Sequence, residues 1–487
     1  MKSQLKLSRR DFLHIAVVGA AGAAFASCTT PTAPPPQIIE KTVEVKVKET
    51  VEVPIEKVVE QTVVVQPTPI PATLVPEPER TKVVTMGVSE GEFSKDELDA
   101  FIKQAKYVSE VERLEGDSAR LKASFAAGTP PDIWRGSGAD VPTVVTYGWA
   151  LDLTDFFNTS KVLQPADLMS AVDYFKYKGG WYGMHKDFSP DMSIQLNAAA
   201  FEDAGLPVPE DKKIYTYQEA ADWARKLTKK EGDRTVRIGW GDNDYWDGIL
   251  QTVLMEDDQN LFNNDFTKAT IKDNPLVVEV LTYYAGLAKE NVIWNPLNPS
   301  PSWAGDDYTV GRAGVIRYGY WMHGVVAGAD PTTLAAPLEK FLMRPGLSWK
   351  GKKIVNPPLG GAGWFMARMT KVPHQSWELF EYYMGGEPAK ARAKGGWGLP
   401  ALKSLLPLLP QNSALDKQWY DSTVWQLDNT VQTPRPLNPF VSTGVINSAW
   451  VTNLELYLRG KASIEEAIVN VDTEVNRIIT ERISTLS

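Results

Sequence analysis

One cysteine, Cys28, stands among 487 residues. A single thiol pairs with nothing in its own chain, so no intrachain disulfide staples this fold. Histidine is nearly as scarce: His14, then His185, His323 and His374, no two of them close in sequence. That spacing offers no metal site built on neighbouring imidazoles. Basic clusters are missing too. Acidic side chains number 60 against 51 basic ones, a formal net charge of −9, which argues against nucleic acid or an anionic lipid surface as partner. There is no phosphate-cradling Gly-rich motif ending in Gly-Lys-Ser/Thr, and no apolar run of membrane length follows Ala26.

The N-terminus reads as an address. From Ile15 to Ala26 the chain has 12 uncharged residues, about 18 Å as a helix against roughly 30 Å of bilayer hydrocarbon. That is too short to span and matches the apolar core of an export signal. Ser8-Arg9-Arg10-Asp11-Phe12-Leu13 in front of it resembles the twin-arginine export consensus, and Phe25-Ala26-Ser27-Cys28 resembles the bacterial lipobox. Residues 1–27 are therefore expected to be a twin-arginine-type lipoprotein signal peptide, and Cys28 the lipidated anchor. Residues 29–81 hold ten prolines and no Gly, Trp or Phe, a composition that builds no core. Residues 28–81 are expected to form an extended stalk, about 40 Å end to end as a flexible coil. Loss of residues 1–27 removes four basic residues and one acidic one, leaving a net charge of −12.

The remainder is long enough for two or three cored domains. "KVVTMGV" (82–88) and "AGVI" (313–316) read as buried strands. Ser94 with Glu97, Thr216 with Glu219 and Ser463 with Glu466 are capping boxes opening amphipathic helices, and "PHQSWELFEYYMGG" is a helix between Pro373 and Gly385-Gly386. Strands alternating with helices predict an α/β fold with mainly parallel sheets.

Catalytic motifs are weak. Gly87-Val88-Ser89-Glu90-Gly91 matches G-x-S-x-G between a strand and a helix, but a nucleophile elbow needs an oxyanion loop from an earlier strand, and only stalk lies upstream. "DNDYWDG" (242–248) puts Trp246 and Asp247 where a calcium loop requires Asp or Asn and then Gly. No metal and no cofactor are expected. Tryptophan is abundant instead: sixteen, all between Trp134 and Trp450. Several sit beside Gly, Asp or Arg in turns: "DIWRGSGAD", "GWGDNDYW", "RYGYWMHG", "GGAGWF" and "GGWGLP". A flat ring covers the apolar face of a pyranose while nearby carboxylates and amides take its hydroxyls, so these turns are candidates for a sugar site.

From about residue 82 onward the chain resembles the bacterial extracellular solute-binding lipoproteins of the sugar-binding, maltodextrin-binding-like type. The likeness is carried in order by "SFAAGTPPDIWRGSGADVPTVVTYGWALDLTDFF", "YKGGWYGMHKDFSPDMSIQLNAAAFEDAGLP", "GRAGVIRYGYW", "GGAGWFMARMTKVPHQSWELFEYY" and "LRGKASIEEAIVNV". His185 stands where that pattern has Pro, and Gln195 and Leu196 replace an aromatic before Asn197. The resemblance implies two α/β lobes hinged around a ligand. The N-lobe would be 82–188 and 364–410, the C-lobe 189–363 and 411–487, with crossovers near Asp187 to Ser189 and Gly361 to Phe365. It places cleft residues at Ser89, Glu90, Trp134, Asp140, Asp187, Tyr245, Trp246, Tyr320 and Trp321; the turn argument adds Trp240, Trp364 and Trp397. It implies a non-enzymatic monomer, lipid-anchored on the extracytoplasmic face, that captures a carbohydrate, in all expectation an oligosaccharide, and hands it to the permease subunits of an ABC importer. A secreted carbohydrate-active hydrolase would share such a Trp-rich cleft.

Overall fold

The computed structural model describes residues 78–241, 246–360 and 362–486. The signal, Cys28 and the stalk as far as residue 77 lie outside these, as do Tyr245 and the side chain of Trp246.

The first lobe is built on β1 (Thr81–Met86), β2 (Val108–Leu114) and β3 (Ile133–Gly136), followed by the hairpin β4 (Lys176–Tyr177) and β5 (Gly180–Trp181), then β6 (Gly183–His185). The chain crosses through β7 (Asp187–Pro190) into a second lobe of β8 (Ile194–Asn197), β9 (Lys229–Glu231), β10 (Arg234–Trp240), β11 (Ala313–Arg317) and β12 (Phe341–Arg344). It returns through β13 (Pro358–Gly360) to β14 (Gly363–Met366), and β15 (Leu399–Pro400) completes the set. Sheet orders are β2-β1-β3-β14-β6, β12-β8-β11-β10-β9 and, for the small crossing sheet, β13-β7-β15. Trp364 and Phe365 thus belong to the first sheet, and the return passage is made at 358–360.

The sheets are mixed, not mainly parallel. β1 runs parallel to β2 and β3, and β10 to β11, but β14 is antiparallel to β3 and β6, and β8 to β11 and β12. The parallel pairs come from strand–helix–strand units, which fix direction. β8 and β14 enter from the other lobe, so no crossover helix dictates their sense.

Local signals set the helix starts. Glu97 accepts the Ser94 N–H at 2.8 Å while Ser94 Oγ accepts the Glu97 N–H at 3.2 Å, opening the helix Lys95–Gln104. Thr216 and Glu219 do the same for Tyr217–Leu227, and Ser463 and Glu466 for Ile464–Leu486. Each lobe buries its own core. Val83, Phe101, Ile133, Phe365 and Phe380 meet in the first; Ile194, Leu254, Tyr284, Val315 and Val475 meet in the second. The helix Ala414–Asn429 packs on β12, where the Trp419 indole N–H donates to Phe341 O at 2.9 Å.

Candidate functional site

A cavity of about 620 Å³ opens where the crossing strand meets both lobes. That lies inside the range of ~300–1,000 Å³ usual for small-molecule sites. The first lobe contributes Gly91, Glu92, Arg135 and Asp140; β7 and its flanks give Lys186, Asp187 and Asp191; the second lobe gives Arg317, Tyr318, Trp321 and Arg435. Arg392 and Trp397 approach from the segment around β15.

Asp191 organises one end. The Trp321 indole N–H donates to its carboxylate, and Arg317 and Arg435 stand close enough to pull its pKa down. Enclosure by the cleft walls outweighs them and, with Asp187 nearby, pushes the carboxyl up to about 7. The approach of the 318–321 turn requires Gly319: a Cβ there would lie 2.3 Å from Asp191 Oδ1 and 2.2 Å from Ser189 Cβ. Trp303 backs Trp321 in a stack, rings 5.7 Å apart at 19°, and Tyr318 meets both rings. Trp321 is therefore held at its edge by a carboxylate and on one face by a second indole, which fixes the ring as a platform.

At the other end Asp187, buried in β7, is paired with Lys186. Gly398, at φ +116°, lets the 395–398 loop settle on it, since a Cβ there would lie 2.8 Å from Asp187 Cβ. That loop carries Trp397, 47% exposed. Asp140 sits between this cavity and a second one of about 460 Å³ lined by Trp134, Tyr147, Trp149, Phe440 and Arg482 among others. Its carboxylate accepts the Ser137 N–H at 2.8 Å, and burial pushes its pKa upward.

The structure thus brings Asp140, Asp187, Trp321 and Trp397 to the larger cavity. Trp134 is 1% exposed, stacked on Phe365 at 5.1 Å, and touches only the smaller one. Other residues expected at the cleft are elsewhere. Trp240 is 1% exposed, packed between Tyr217 and Tyr284. Trp364 is equally buried, stacked on Tyr383 at 4.0 Å and 7°. Tyr320 is fully buried against His323. In each case a strand or turn directs the ring to the core side, where an aromatic partner waits. Ser89 and Glu90 line neither cavity. Glu90 is instead bonded to Arg113 at 2.7 Å and to the Lys95 N–H at 2.6 Å, and the turn delivers Gly91 and Glu92 in its place.

Sequence reasoning missed Asp191, Arg317, Tyr318, Arg392, Arg435 and the backing residue Trp303. Arg317 and Tyr318 carried a signal: a charged residue closing an apolar strand and an aromatic directly after it, at the end where α/β sheets hold ligands. Among the described residues no group of three or more His, Cys, Asp or Glu is set to hold a metal, and no helix is long and apolar enough to cross a membrane.

Comparison with known proteins agrees with this architecture. The chain resembles, at the level of fold, an ABC substrate-binding protein of Listeria monocytogenes (Lmo0181) solved in complex with cycloalternan: TM-score 0.65, 21% identity, 82% of this chain and 99% of that one covered. An ABC transporter solute-binding protein from Agrobacterium vitis with bound D-mannitol matches with TM-score 0.64 at 18% identity, over 82% and 99%. One from Thermotoga lettingae bound with α-D-tagatose matches with TM-score 0.63 at 21% identity, over 82% and 100%. No curated protein matches the chain. The model of the family described as bacterial extracellular solute-binding protein matches residues 98–419, more than half of the chain, and the chain belongs to that family.

Proposed function

We propose that the protein captures a carbohydrate in the cavity at the lobe crossing and delivers it to an ABC importer. The observation that carries this reading is the Trp321 platform. An indole is fixed by Asp191 and Trp303 beside Asp140, Asp187 and several guanidinium groups, which pairs an apolar face with hydrogen-bonding edges as a sugar ring requires. The neighbours in complex with cycloalternan, D-mannitol and α-D-tagatose span an oligosaccharide, a polyol and a ketose, which supports a carbohydrate-class solute. Lobes of 82–188 with 364–410 and 189–363 with 411–487 hinge about β7 and β13. Ligand is held by Asp140, Asp187, Trp321 and Trp397 with Asp191 and Arg317, while Trp134 serves a chain extending into the smaller cavity. Tyr245 and Trp246 of the second lobe, cleft positions by the family likeness, add to the ligand contacts.

The protein binds and does not convert. It acts as a monomer on the extracytoplasmic face, exported through the twin-arginine signal and held by lipid on Cys28. A thermal-shift screen of mono- and oligosaccharides tests the binding reading. A ligand at 100 times its dissociation constant adds about 2.7 kcal/mol of stability, and a flat response across the panel refutes a carbohydrate ligand. Cys28→Ala tests the anchor: the mature protein leaves the membrane fraction, and continued sedimentation with membranes overturns it.

A further inference from the structure

The chain is acidic, with a formal net charge of −9. Its larger cavity has the opposite balance. Arg135, Lys186, Arg317, Arg392 and Arg435 line it against four carboxylates. A concave site with low-dielectric walls focuses such a field and draws solutes of the other sign.

The carboxylates are already committed. Glu92 holds Arg135 at 2.8 Å, and Asp187 holds Lys186. Asp191 faces Arg317 and Arg435, and with its carboxyl pushed up to about 7 it only partly offsets them near neutral pH. Asp140 takes a main-chain N–H from Ser137. Arg392 is the cation left over. Its Nη2 donates to main-chain oxygens, Tyr383 O at 2.8 Å and Lys186 O at 3.5 Å, and its guanidinium lies 4.4 Å over the Tyr383 ring. Its Nε and Nη1 are buried with no acceptor from the protein. A charge enclosed without a counter-charge is costly, and closing the cleft over a neutral sugar deepens that cost. A carboxylate held in the cavity beside Arg392 supplies the missing counter-charge.

We infer that the solute is an acidic saccharide of the uronate class, its carboxylate received at the corner formed by Arg392 and the Lys186–Asp187 pair. This rests on the carbohydrate reading and sharpens it. The pyranose face lies on Trp321 or Trp397, as for any sugar, and the carboxylate selects among sugars.

Titration calorimetry at pH 7 on the mature protein tests it. The probes are oligomers of galacturonate, glucuronate, mannuronate and guluronate, each against its methyl ester and its neutral parent oligosaccharide, with glucose 6-phosphate as a separate arm. At least one uronate oligomer binds about tenfold or more tighter than its ester and its neutral parent, and the preference shrinks with added salt. Arg392→Gln narrows the acid-over-ester ratio and Arg392→Lys retains most of it; a melt of each variant shows that the fold survives. Neutral oligosaccharides bound in preference to every uronate overturn this inference and leave the carbohydrate reading standing. Tight binding of the phosphate with no uronate bound overturns the carboxylate assignment. No binding by any saccharide overturns both readings.

Discussion

Trp321→Ala separates a ligand platform from a core residue. The ring is part-buried, stacked on Trp303 at 5.7 Å and hydrogen-bonded through its N–H to Asp191. A pyranose laid on its free face hides about 80 Å² of apolar surface, roughly 2 kcal/mol, so truncation weakens the best saccharide ligand about thirtyfold. The fold loses less than the ~3–5 kcal/mol of a fully buried tryptophan, because the removed ring already meets solvent; the stack with Trp303 accounts for about 0.5–1.5 kcal/mol of the loss. Trp321→Phe keeps a ring and deletes the N–H donor. If face burial dominates, Phe recovers most of the affinity; if the Asp191 hydrogen bond dominates, it recovers little. Titration calorimetry supplies the affinities and denaturant unfolding the stabilities. Unchanged affinity in Trp321→Ala with a stability loss of core size refutes the platform.

Trp364→Ala has the opposite signature. It empties a site 1% exposed against Tyr383, so stability falls by about 3–5 kcal/mol while the affinity of the remaining folded protein holds, read by urea melts and calorimetry on the same sample. His185, fully buried between Phe175 and Phe188 with neither ring nitrogen partnered, has its pKa lowered by burial, and secondarily by Lys186, from 6.5 to about 3. The unfolded chain binds this proton and the folded one does not, so stability is intact above pH 6.5 and declines below it. The decline is about 2 kcal/mol between pH 7.5 and pH 5; His185→Leu flattens that part of the pH–stability curve, and an unaltered curve sinks the idea. Gly398→Ala forces a Cβ onto Asp187 at φ +116° and costs about 1–3 kcal/mol, lowering the melting temperature and saccharide affinity together because the same loop carries Trp397. Gly286→Ala, in open space within the helix Pro275–Glu290, serves as its control and stabilises by about 0.4–1 kcal/mol.

Helix starts were readable because their physics is local. Ser94 and Glu97 satisfy each other's backbone neighbour within one turn, whatever the rest of the chain does. The strand Ala313–Arg317 was readable for a similar reason, a short apolar run that only a buried strand suits. Strand direction was not readable, because β8 and β14 take their sense from the lobe crossing and not from their own residues. Tryptophan in a Gly-rich turn proved ambiguous on the same principle. The glycine describes the backbone, and the direction of the ring is decided by what it meets. Trp364 finds Tyr383, nineteen residues on, and is buried; Trp397, in an equally glycine-rich turn, has Gly324 beneath it and stays exposed.

The charged lining shows the limit most sharply. Asp191, Arg317, Arg392 and Arg435 come from four separated segments, and apart from Arg317, at the end of an apolar run, none stands in a pattern that names it. Their meaning arises only when distant segments share one cavity: Asp191 with Trp321, Arg317 and Arg435 is a relation between β7's flank, β11 with the turn after it, and the segment before the helix Thr443–Leu458. A site assembled from distant segments is therefore written in pairings that exist only in the folded chain. Residues that act there must leave some valence open for the solute, and Arg392, donating to main-chain oxygens and paired with no carboxylate, is where this cleft leaves it.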